Sequence, residues 1–163
     1  MPPSQFRVLL VEDDEGKLKA IKEFVETTYN EAQVTLARSY SSAMNSLDHG
    51  VFSLALLDMS LPTYDLAKDR EGGEPQGFGG RDLLRTLEAE YSDTKAIVLT
   101  QYKNFADPLA ENTKSFAQLA EELQVEFGEQ FLGMISYSGK LGRWKSELRS
   151  LIDQEFPNEN PNN

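Results

Sequence analysis

The chain has 163 residues, no cysteine and one histidine, with a formal net charge of −11 and a sequence pI near 4.5. That length supplies one domain with ample core and leaves no room for a second full domain, while the cysteine and histidine counts exclude a disulfide framework, a thiolate site and a histidine metal cage. The acidic balance argues against binding to nucleic-acid phosphates, and no basic helix or recognition motif offsets it.

The longest apolar stretches are strand-length, and Met1-Pro2-Pro3-Ser4 is not a basic region followed by an apolar run. Neither a membrane span nor a signal peptide is therefore expected, and a cytoplasmic protein is the default. Arg7–Val11 reads as the first strand. Leu18, Ile21, Phe24 and Val25 recur at helical spacing on a Lys/Glu-rich segment, predicting a surface helix with one buried stripe. Residues 34–37 read as a second strand, and Ala43, Met44 and Leu47 as the face of a short helix ending at Gly50. Residues 52–57 are apolar enough for a central parallel strand buried on both faces. Leu83, Leu84 and Leu87 mark a third helix, and 96–99 a fourth strand.

Two stretches are longer than such a rhythm needs. Residues 63–80 are rich in Gly, Pro and charge without periodicity. The second excess lies at about 103–130, where Phe116, Leu119, Ala120, Leu123 and Phe127 share a helical face. Asp107-Pro108 is the expected N-cap and first helical position of that region. A fifth strand follows at 132–137, then a last helix with the stripe Trp144, Leu148, Leu151 and Ile152, then a polar tail at 157–163. Strand and helix alternate, so the class is α/β with a parallel sheet.

Acidic residues sit where these strands should end. Glu12, Asp13 and Asp14 follow Val8-Leu9-Leu10-Val11, and Asp58 follows Leu54-Ala55-Leu56-Leu57. If the two runs are neighbouring parallel strands, the carboxylates meet at the sheet edge where doubly wound folds place ligands. Such a cluster calls for a cation, and the oxygen-only donor set suits Mg²⁺.

The order VLLVEDDE, LALLDMSLP, AIVLT resembles the receiver domain of two-component response regulators, in which a strand-end aspartate is phosphorylated by a histidine kinase. The likeness covers residues 6–100 well and the remainder loosely. It implies a flavodoxin-like (βα)5 three-layer sandwich with a five-stranded parallel sheet in the order 2-1-3-4-5. It also implies one receiver domain over 1–156 with insertions at about 63–80 and 103–130. The 45 positions between Asp13 and Asp58 (58 minus 13) hold the helix, strand and helix that the resemblance requires. By that resemblance Asp58 is the phosphoacceptor. Mg²⁺ is held by Asp13, by Glu12 through water, by Asp58 and by the backbone carbonyl of Ser60. Thr100 matches the switch hydroxyl, with Gln101 where a small residue commonly follows.

The family's strand-end lysine can be placed in two ways. Counting from Gly133 puts Tyr137 in its position; the aromatic-x-x-lysine spacing makes Tyr137 the switch aromatic and Lys140 the cation, which the chemistry favours. The implied function is that of a signalling phosphoacceptor with slow self-dephosphorylation rather than an enzyme. Its partners would be a histidine kinase or phosphotransfer protein and a downstream protein, with no nucleic acid and no membrane. A phosphate-independent adapter is the alternative. An aspartyl phosphohydrolase would want a second carboxylate two residues after the first, where Ser60 stands. The segment 72–80 lacks the spacings of a phosphate loop and reads as linker, and His49 reads as a surface residue. The stripe Phe116, Leu119, Leu123, Phe127 either packs on the sheet or presents its outer part to a partner or to a second copy of the protein.

Overall fold

The computed structural model describes residues 6–64, 79–101, 104–106, 113–137, 142–157 and 159. Five parallel strands form the main sheet: β1 (Arg7–Val11), β2 (Gln33–Ala37), β3 (Leu54–Leu57), β4 (Lys95–Thr100) and, after a short antiparallel hairpin of β5 (Asn104–Ala106) and β6 (Thr113–Ser115), β7 (Phe131–Ser136). Their spatial order is β2-β1-β3-β4-β7. Counted among sheet strands alone this is the flavodoxin-like 2-1-3-4-5 order expected from the motifs.

Helices α1 (Glu15–Thr28) and α5 (Arg143–Glu155) cover one face; α2 (Tyr40–His49), α3 (Gly79–Glu90) and α4 (Phe116–Phe127) cover the other. The pleat of β1 explains this division. Val8 and Leu10 point to Leu18, Ile21, Val25, Trp144, Leu148 and Ile152, while Leu9 and Val11 point to Leu47, Leu83, Leu87, Leu119 and Leu123. All four residues of β3 are buried, as a strand with helices on both faces requires. The edge strand β2 keeps only Ala37 fully buried.

Local chemistry sets the boundaries. Asp14 caps α1, its side chain accepting from the Lys17 amide at 2.9 Å. Ser39 and Ser42 form a capping box at α2. The helix before β7 begins later than the sequence suggested: it starts at Phe116 behind a Ser115/Gln118 capping box, because a hairpin occupies the preceding stretch. Asp107 and Pro108, expected to open that helix, lie outside the described residues. Leu119, Leu123 and Phe127 are buried in the core and Phe116 is half-buried, so most of the stripe packs on the sheet.

At the start of α3, a Cβ on Gly80 would collide with the Asp58 carbonyl and one on Gly79 with the Leu61 carbonyl. The Gly80 amide also donates to the Met59 carbonyl at 2.8 Å. These two glycines let the helix press against the turn that follows β3, which holds Asp58 in place.

Candidate functional site

The parallel register brings the strand-end acids together. Val11 pairs with both Leu57 and Ala37, so Glu12 and Asp58 leave neighbouring strands at the same level. Leu57 pairs with Val98, which sets Asp58 level with Leu99 and one residue below Thr100. The chain stays tied there: the Glu12 amide donates to the Ala37 carbonyl at 3.0 Å, and the Asp58 amide to the Val11 carbonyl at 3.3 Å. Glu12, Asp58 and Thr100 are buried and Asp13 is half-buried.

One carboxylate oxygen each from Glu12, Asp13 and Asp58 lies within 4.8 Å of the others, close enough to share a metal ion. The donors are all hard oxygens, which fits a divalent cation of the Mg²⁺ or Mn²⁺ kind. Ser60, half-buried, lies in the turn two residues beyond Asp58. Asp14 belongs to the helix cap.

The sequence reading missed the residue at the centre of the cluster. Lys17, one of several lysines on the Lys/Glu-rich α1 segment, is 3 % exposed. Its ammonium contacts Glu12 Oε2 at 2.7 Å and Asp58 Oδ2 at 3.3 Å, and donates to the Leu99 carbonyl at 2.7 Å. It also lies 5.5 Å from the centre of the Tyr137 ring. The remaining carboxylate oxygens face backbone amides, Glu12 Oε1 accepting from Asp14 at 3.1 Å and Asp58 Oδ1 from Met59 at 2.7 Å. One signal was available in the sequence: a lysine in the first turn of a helix opposes the helix dipole, so it needs a compensating anion.

Burial dominates the electrostatics. Desolvation pushes the Glu12 carboxyl up to about 7 despite the opposing pull of Lys17, with Asp58 adding to the rise. Asp13 is also raised, first by burial and further by Asp58. The cluster thus resists full ionisation unless positive charge is added.

On β7, Ser136 is the register partner of Thr100, and the Tyr137 amide donates to the Thr100 carbonyl at 2.7 Å. Tyr137 packs on Trp144 with ring centres 5.2 Å apart. Lys140, the cation expected near this edge, lies outside the described residues. His49 is exposed at the end of α2, its Nδ1 2.7 Å from the Asn45 carbonyl.

No protein-family model matches the sequence, and a search of curated proteins finds no match. Solved structures do match. The non-phosphorylated HemR receiver domain from Leptospira biflexa is 25 % identical, with 90 % of this chain and 93 % of that one covered and a TM-score of 0.60. The response regulator TrrA from Thermotoga maritima, in complex with Mg²⁺ and beryllofluoride, is 17 % identical over 89 % of this chain and 97 % of that one, with a TM-score of 0.58. The phosphorylated cyanobacterial phytochrome response regulator RcpA is 17 % identical over 97 % and 99 %, with a TM-score of 0.61. The chain therefore has the fold of response-regulator receiver domains. Among the described residues no helix is long and apolar enough to cross a membrane.

Proposed function

We propose that the protein is a phosphoacceptor receiver of a two-component relay, taking a phosphoryl group on Asp58 from a histidine kinase or phosphotransfer protein and signalling through protein contact. The observation that carries this reading is the meeting of Glu12, Asp13 and Asp58 at one strand-end edge, with ligand oxygens within 4.8 Å. Solved relatives of the same fold carry Mg²⁺ with beryllofluoride or a phosphoryl group, which supports it.

In transfer from a phosphohistidine, an Asp58 carboxylate oxygen forms the new P–O bond as the P–N bond breaks, and the electron pair returns to the imidazole, which takes a proton. Positioning and charge neutralisation carry such reactions. Asp13, Asp58, the Ser60 carbonyl and Glu12 through water would hold Mg²⁺, which when bound supplies positive charge to the transferring oxygens. The Asp58 backbone is fixed by the Val11 carbonyl and its Oδ1 by the Met59 amide. Thr100, one residue above the level of Asp58, would hydrogen-bond a phosphoryl oxygen.

Incubation with acetyl phosphate tests this. Label should enter in a Mg²⁺-dependent way and be lost in Asp58→Asn; uptake by that variant at the parent's rate would overturn the assignment. The competing reading, a phosphate-independent adapter, draws on the serine that faces Thr100 across β4 and β7. It predicts no uptake by the parent.

A further inference from the structure

We infer that Lys17, on the first turn of α1, is the cation that binds the phosphoryl group on Asp58, an inference that rests on the phosphoacceptor reading above. The ammonium is already 3.3 Å from Asp58 Oδ2, its longest contact, while 2.7 Å bonds to Glu12 Oε2 and the Leu99 carbonyl anchor it. A hydrogen bond to the Leu99 carbonyl and ion pairs with Glu12 and Asp58 approach the ammonium together, so the group has a fixed position. Asp58 Oδ1 is engaged by the Met59 amide, and Oδ2 is the oxygen that faces Lys17. Phosphorylation there would place new anionic oxygens beside the same ammonium, where a charge-assisted contact forms without moving the helix.

Charge bookkeeping points the same way. Three carboxylates and one ammonium leave a formal −2, which one divalent cation cancels; the charge the phosphoryl group then brings is unmatched, and Lys17 is the cation in ion-pair distance of Asp58 to face it. The placement is costly, since a buried lysine in the first turn opposes the helix dipole, and it is offset by the carboxylates of Glu12 and Asp58. Among the described residues no other lysine or arginine makes an ion pair with Asp58. The register position beside Thr100 on β7 is an exposed serine. Because the anchor is the Leu99 carbonyl, adjacent to Thr100, a shift of Lys17 would be felt on β4 directly.

The test is beryllofluoride affinity in the presence of Mg²⁺, with Mg²⁺ affinity measured separately, for the parent, Lys17→Met, Lys17→Arg and Lys140→Ala. Lys17→Met should weaken beryllofluoride binding about ten- to hundredfold, the cost of losing a hydrogen bond to a charged group. It should at the same time tighten Mg²⁺ binding by removing a competing cation. Lys17→Arg should recover part of the loss, and Lys140→Ala should lose less than Lys17→Met. Parent-like beryllofluoride affinity in Lys17→Met, or a larger loss in Lys140→Ala, would overturn the role of Lys17 while leaving the phosphoacceptor reading intact. A parent that binds no beryllofluoride removes both. Should Lys17→Met not fold, Glu12→Gln is compared with Glu12→Gln/Lys17→Met, which replaces the buried pair with neutral groups; equal affinities of those two proteins would overturn the inference.

Discussion

Two charged clusters among the described residues behave in opposite ways. At the strand ends Glu12, Asp13 and Asp58 cluster together, and one buried ammonium pairs with Glu12 and Asp58. Between α3 and α4, Glu126 receives Arg81 at 2.9 Å and Arg85 at 2.9 Å, while Glu122 receives Lys114 at 2.8 Å, all partly open to water. Burial raises Glu12 to about 7. Burial also pushes Glu126 upward, but hydrogen bonds from Arg85 and Arg81 outweigh it and hold that carboxyl below its usual range. With Asp82, 3.9 Å from Arg85, the α3–α4 network has three cations and three carboxylates and stitches two helices together. The strand-end cluster is under-neutralised and buried, an arrangement that costs stability unless positive charge is added.

Removing the buried cation should produce the largest effect. With no divalent ion present and at pH 8, Lys17→Met leaves Glu12 and Asp58 unpaired and should lose about 3–5 kcal/mol of unfolding free energy, read by urea titration. A loss no larger than that of an exposed pair would mean that the cluster is relaxed by water and the contrast between the two sites is false.

The pH dependence follows. The unfolded chain releases the Glu12 proton near 4.5, whereas the folded protein keeps it to about 7. The folded state therefore binds more protons in that window, and metal-free stability should fall as pH rises through it, by roughly 3 kcal/mol at most. Glu126 has the opposite sign: its folded value is lowered, so its contribution is present above its unfolded value and disappears in acid. Glu12→Gln should flatten the fall between pH 4.5 and 7, and Mg²⁺ should oppose it by favouring the ionised site. An unaltered slope in Glu12→Gln would assign the effect to other groups.

Asp13→Ala sharpens the comparison further. Without metal it should raise stability by about 1 kcal/mol, the order of a like-charge contact screened by water. It should also remove most of the Mg²⁺-induced rise in melting temperature. An undiminished Mg²⁺ response would take Asp13 out of the metal set.

The smallest change belongs to the other cluster. Glu126→Gln should cost about 1 kcal/mol or less, with the difference from the parent shrinking as salt is added. A loss comparable to that of Lys17→Met would show that the α3–α4 network is as consequential as the buried site.

The sequence alone carried the sheet and the acid positions, because both rest on local pattern. Unbroken apolar runs define buried parallel strands, and the residue after each run must stand at the sheet edge, which places Glu12 and Asp58 without any tertiary information. Alternation with amphipathic helices gives a parallel α/β sheet, while the strand order observed is the one that the resemblance to receiver domains implied. Ser115 and Gln118 bear a capping-box pattern in the sequence, while a hairpin of two three-residue strands carries no periodicity to set against a longer helix from Asp107-Pro108. Lys17 is a different kind of miss. In sequence it is one more lysine on a charged helix, and its burial arises only when α1 packs so that its first turn lies over Glu12, Asp58 and the Leu99 carbonyl, 82 positions along the chain. Which cation enters an acidic site depends on how a helix settles on a sheet, and that is decided by the long-range packing of Leu18, Ile21 and Val25 against Val8, Leu10, Leu99 and Trp144.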